Sequence, residues 1–144
     1  MEWKEHNGRI ISNFRENGGR ISPEVNATLA EVEVVVVTMK GARSGATYEV
    51  PLTCFSLAGD DFFVVASAGG ASQAPSWYYN LKANPDVCVE RGVDKYRAAA
   101  ALVEDPAERA RLYAETVKVR SEFADYEKKA ARQIPIFVIR RTAD

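Results

Sequence analysis

The chain has 144 residues, 47% hydrophobic and 27% charged, which fits a single globular domain over 1–144 that needs no disulfide or metal to fold. A formal net charge of −1 excludes the broad positive field of a nucleic-acid binder. The N-terminus shows no apolar leader, and no run approaches the ~18 apolar residues of a membrane span, so a cytoplasmic protein is expected.

In chain order, Trp3, Ile10, Ile11 and Phe14 share one face of a helix over 3–17, ended by Gly18-Gly19. Residues 20–31 read as a loop. Val32–Thr38 is a β-branched run whose lack of alternation predicts a strand buried on both faces. A basic loop follows, then a strand from Tyr48 to Leu57. Pro51 cannot donate to a ladder and marks an edge, a bulge or a solvent-facing position. Ala58-Gly59-Asp60-Asp61 turns the chain into a third strand, Phe62–Ser67, broken by Ala68-Gly69-Gly70. Ser76–Ala83 is a short helix stopped by Asn84-Pro85. Strands are expected at Asp86–Glu90 and Lys95–Val103. Asp105-Pro106-Ala107-Glu108 opens a helix to about Val119, with Asp as cap and Pro in first position. Ser121 caps another helix, and Ile134–Ile139 is the last strand. The sum is an α+β, mainly β domain: six strands, mostly antiparallel, forming a small barrel with peripheral helices. The strand–helix alternation of a doubly wound fold is absent.

Cys54 and Cys88 both fall in strands and read as small buried hydrophobes; a disulfide would need those strands to be neighbours. The single histidine, His6, gives no nucleophile–histidine pair outside the N-terminal helix. No His/Cys cluster has metal-ligand spacing. Chemistry would therefore come from a bound cofactor.

Two segments suit such a cofactor. Lys40-Gly41-Ala42-Arg43-Ser44-Gly45 combines two cations, a hydroxyl and glycines that let backbone N–H groups converge on an anion. It lacks P-loop spacing, and a solvated hairpin loop has a similar composition. Pro75-Ser76-Trp77-Tyr78-Tyr79-Asn80-Leu81 puts aromatics on a short helix, with Trp77, Asn80 and Leu81 at neighbour spacing. Trp77 and Leu81 also suit an ordinary core. Ser67-Ala68-Gly69-Gly70 allows a ligand close to the backbone and equally suits a simple connection.

Taken in order, Thr38–Gly45, Val50-Pro51-Leu52, Val65–Gly70, Pro75–Pro85 and Val87–Glu90, with Tyr126 and Arg132–Pro135, closely resemble the deazaflavin-dependent nitroreductase family of actinobacteria. The resemblance covers about residues 32–139. It implies a split β-barrel that binds coenzyme F-420, an 8-hydroxy-5-deazaflavin with a phosphodiester and an oligoglutamate tail. By that resemblance Lys40, Arg43, Ser44 and Gly45 hold the phosphate and nearby tail. Val50, Pro51, Leu52, Ala66 and Ser67 lie along the ring, and Ala68, Gly69, Gly70, Pro75, Trp77 and Asn80 complete the pocket. Tyr126 corresponds to a tyrosine that faces substrate, so Tyr126 or Ser67 is the candidate proton donor or hydrogen-bond anchor. Many relatives have a lysine at the position of Ala68, a cation lost here. The implied activity is hydride transfer to a small-molecule acceptor: a quinone, a nitroaromatic or an enone. Residues 1–31 often cover the site or touch membrane in the family, and its members are monomers or homodimers. Two alternatives stand beside this reading: a split barrel that binds flavin mononucleotide (FMN), and a non-catalytic carrier of the cofactor or an apolar ligand.

Overall fold

The structure, a computed structural model, describes residues 2–142, without the side chains of residues 2–4. Trp3, expected on the apolar helix face, therefore has its side chain outside the described residues. The elements are α1 (Glu2–Glu16), β1 (Val34–Lys40), β2 (Thr47–Thr53), β3 (Phe55–Ser56), β4 (Phe62–Val65), α2 (Ser76–Ala83), β5 (Asp86–Arg91), β6 (Asp94–Leu102), α3 (Pro106–Val119), α4 (Phe123–Ala130) and β7 (Ile136–Arg141). Short 3-10 turns stand at Leu29–Glu31 and Ala68–Gly70.

The strands form one antiparallel sheet in the order β2-β1-β5-β6-β7-β4-β3. β1 is buried on both faces, as its sequence implies. Val35, Val37 and Met39 point into the central core with Val89, Phe62 and Phe137. Val34 and Val36 pack outward under Ile10, Ile11 and Phe14 of α1. Each such valine contributes roughly 1.5 kcal/mol or more by leaving water. A second cluster seats α3 and α4 through Leu112, Tyr113 and Phe123 against Phe55, Phe63 and Val138. Pro51 stands opposite Val36 on β2, an edge strand, where a missing donor is tolerated.

The strand expected from Tyr48 to Leu57 is in fact two. β2 and β3 lie at opposite edges of the sheet with only Cys54 between them. The sheet therefore curls until its two edges are successive pieces of one chain segment. That gives seven strands in a curled half-barrel, where the sequence predicts six. The Cys54 N–H donates to the Glu33 carbonyl at 3.0 Å. Beside it, Arg91 donates to the Glu33 carboxylate at 2.7 and 3.1 Å and to Ser56 Oγ at 2.6 Å, with its guanidinium over the Phe62 ring. The Arg91 hydrogen bond holds the Glu33 carboxyl below the usual carboxylate range. Burial, with Glu33 next to it, pushes the Cys54 thiol well up. Cys54 and Cys88 are both free thiols.

Asp105 caps α3 as expected, its carboxylate accepting from the Glu108 N–H at 3.2 Å. The cap of α4 is Glu122 and not Ser121, and α4 ends at Ala131 in the left-handed region. Among the described residues no helix is long and apolar enough to cross a membrane.

Candidate active site

The basic loop between β1 and β2 is tied by its backbone. Gly41 N–H donates to the Ala46 carbonyl at 2.7 Å, and Gly45 N–H to the Gly41 carbonyl at 3.1 Å. Gly45 sits at φ +70°, a conformation that favours glycine. Ser44 Oγ accepts from the Ala46 N–H at 3.1 Å. The side chains of Lys40 and Arg43 are exposed, and neither has a carboxylate partner among the described residues.

Helix α2 fixes this loop from below. The Asn80 carboxamide oxygen accepts from the Ala42 N–H at 3.0 Å. Asn84 Nδ2 donates to the Gly41 carbonyl at 3.3 Å. Leu81 is buried in the central core and anchors the helix to the sheet. The cap position of α2 is Pro75. Three residues before Asn80, about 4.5 Å along the axis, Trp77 stands against Phe137 at 6.3 Å between ring centroids.

Trp77 also lines a cavity of about 200 Å³ with Pro51, Leu52, Ser67 and Ala68. Thus the structure gathers five of the residues singled out in the sequence around one space, and α2 joins it to the basic loop. Ser67 is 8% exposed, and its hydroxyl has no hydrogen-bond partner among the described residues.

Other expected residues fall elsewhere. Val50 packs against the central core. Ala66 is fully buried, and its N–H donates to the Pro135 carbonyl at 2.9 Å. Gly69 occupies the middle of the 3-10 turn. Gly70, at φ +84°, abuts the backbone of Tyr126, where a Cβ would come within 3.3 Å. Its missing side chain thus serves packing against α4 and leaves no opening there for a ligand. Tyr126 does not line the cavity; its ring packs at a tilt against Phe123, 4.7 Å between centroids, and Phe123 is the lining residue. Phe123 and Tyr126 are three apart on one helical face, a spacing that points to both. Leu29, which also lines the cavity, comes from a stretch with no periodic pattern.

The arrangement couples an unneutralised cationic loop to an apolar, aromatic-walled slot. The loop's charge matches a phosphodiester and a carboxylate-rich tail, and the slot's walls match a flat ring, so the residues present fit a deazaflavin. Solved structures agree on the class. One described as an F-420-H2 dependent reductase superposes with TM-score 0.66 at 36% identity, over 74% of this chain and 93% of that one. Another, described as a domain-swapped dimer, gives TM-score 0.69 at 29% identity over 96% and 98%. The fold is thus a split-barrel-like one shared with deazaflavin-dependent reductases.

The profile of the F-420H(2)-dependent quinone reductases matches residues 9–141, and the chain belongs to that family. A relative named an F-420H(2)-dependent quinone reductase, from Mycobacterium tuberculosis (strain ATCC 25618 / H37Rv), is 30% identical over 131 residues, 89% of this chain and 85% of its own. The family is deazaflavin-dependent, and coenzyme F-420 is its cofactor.

Proposed function

We propose that this chain is a coenzyme F-420-dependent reductase that passes two electrons to a quinone. The observation that carries the reading is the single helix turn joining the unpaired basic loop, through Asn80, to the slot, through Trp77. When bound, the reduced deazaflavin supplies a hydride. The protein binds, orients and excludes water, which is where most of its rate advantage arises.

Arg43, Lys40 and Ser44 hold the anionic end, Arg43 by a planar fork suited to phosphate or carboxylate. Pro51, Leu52 and Trp77 wall the ring. Leu29 and Phe123 give an apolar surface that suits a quinone better than a charged acceptor. Ser67 is the better placed hydrogen-bond anchor for an acceptor oxygen, because it lines the slot and Tyr126 does not. Nitroaromatics and enones are electrophiles of the same kind, which an apolar slot would admit with less discrimination. The domain-swapped dimer among similar structures makes a homodimer the assembly we expect.

The test is a titration of the protein with coenzyme F-420 and with FMN, read by tryptophan fluorescence, followed by turnover with a panel of quinones and nitroaromatics. Saturable quenching by the deazaflavin alone, with quinones giving the highest kcat/KM, is the expected result. Tighter binding of FMN would overturn the cofactor assignment. Binding without turnover of any acceptor would make the protein a carrier.

A further inference from the structure

Arg132 stands at the end of α4, outside the slot, and its guanidinium meets no carboxylate among the described residues. It donates instead to four backbone carbonyls: Nε to Ala71 at 3.0 Å, and Nη2 to Ala66 at 3.1 Å, Ser67 at 3.2 Å and Gln73 at 3.3 Å. All four belong to the segment that forms the slot's wall at Ser67 and Ala68.

The wall has an unusual backbone. Ser67 is right-handed (φ −79°, ψ −33°), and Ala68 is left-handed at φ +48°, which an L-residue adopts at a cost. A right-handed residue followed by a left-handed one turns successive N–H groups to the same side, making a concavity for electron-rich atoms. With the carbonyls drawn to Arg132, the N–H-bearing edge is left for the slot. A full positive charge behind those carbonyls also polarises the peptides in the direction that favours an electron-rich oxygen in front of them.

The chain just beyond Arg132 is held by separate contacts. Ile134 N–H donates to Glu127 Oε2 at 3.0 Å, Arg109 Nε donates to the Ile134 carbonyl at 2.9 Å, and Arg109 pairs with Glu127. The backbone that carries Arg132 is therefore anchored to α3 and α4 as well as to the segment its side chain holds.

We infer that Arg132 is a positioning residue for the slot: it fixes residues 66–73 so that Ser67 keeps its place in the wall and the N–H edge around Ala68 receives a polar oxygen of the bound ring. This rests on the deazaflavin reading above. It is tested with the full chain and Arg132→Met and Arg132→Lys, using two readouts. The first is amide hydrogen exchange, and the second is the dissociation constant for coenzyme F-420.

In Arg132→Met, exchange across 67–73 should accelerate while that of β1 and α3 stays unchanged. The dissociation constant should rise about ten- to a hundredfold, the range for losing charge-assisted hydrogen bonds. Arg132→Lys, which keeps the charge but not the fork, should recover part of both effects. If Arg132→Met does not fold, Arg132→Lys decides on the same readouts. Exchange at 67–73 no faster than in the parent protein would overturn the inference, as would faster local exchange with unchanged affinity. Faster exchange throughout the protein would mean a merely structural role and would also overturn it. Failure of the parent protein to bind the deazaflavin would sink the proposed function instead, and the exchange arm would still decide whether Arg132 fixes this wall.

Discussion

Two groups of charge flank the same strand, β1, and differ in what answers them. Just before its start, Glu33 meets Arg91 at 2.7 Å, and Arg91 also reaches Ser56 and the Asp60 carbonyl. At its far end, Lys40 and Arg43 are exposed with no carboxylate among the described residues to meet them. The first group is satisfied within the chain and closes the point where the sheet changes edge at Cys54. The second is held in shape through its backbone, by Asn80 and Asn84, while its side chains stay open. Charge spent on the fold and, on the proposed function, charge kept for a ligand can be told apart by who supplies the counter-ion.

The largest effect should come from breaking the first group. Arg91→Ala should cost about 2 kcal/mol, between the values for exposed and buried pairs, measured by urea denaturation. Wild-type stability in that variant would erase the contrast. Arg43→Ala should do the reverse. Affinity for coenzyme F-420 should fall about tenfold or more, with stability within about 0.5 kcal/mol of the parent.

Acid sharpens the distinction further. Glu33 has a carboxyl pKa lowered by its hydrogen bond to Arg91. Its stabilisation is therefore complete above the ordinary carboxylate range of about 4.3 and is lost as pH falls through the lower folded value. Thermal melts should show a fall in Tm below that range, smaller in Glu33→Gln; an equal fall in both would rule Glu33 out as a source. The smallest effect belongs to Ser44→Ala. It removes the acceptor of the Ala46 N–H, worth about 0.5 kcal/mol in an exposed loop, and should show in the unliganded protein as faster amide exchange at Ala46.

Much of this was legible in the sequence where local chemistry and fold agree. The unbroken run of valines implies burial on two faces, and α1 supplies the second cover. Pro51 limits its strand to an edge, a bulge or a solvent-facing position, and β2 is an edge. The boundaries of α2 follow from Pro75 before it and Asn84-Pro85 after it. Cys54 gave no warning, because the apolar pattern continues through Phe55 and Leu57 while the strand changes partners; pairing is decided by distant residues. Ser121 lost the cap of α4 to Glu122, since helix entry there follows the packing of Phe123 against Phe55. The five residues that meet at the cavity, Pro51, Leu52, Ser67, Ala68 and Trp77, were readable as parts of short motifs. Leu29 and Phe123 were not, because what brings them to the slot is the curl of the whole sheet. Nor does any local pattern reveal that Arg132 would gather carbonyls from sixty residues earlier.

The strand order has a consequence during synthesis. β7 lies between β6 and β4, although it follows both in the chain. A nascent chain that has delivered Leu102 holds two unfinished pieces, β2-β1-β5-β6 and β4-β3, each with an open edge facing the gap. That gap closes only when Arg141 leaves the ribosome, about 2–8 s later at ~5–20 residues per second. For that interval the apolar lining around Phe62 and Val64 has no finished wall beside it.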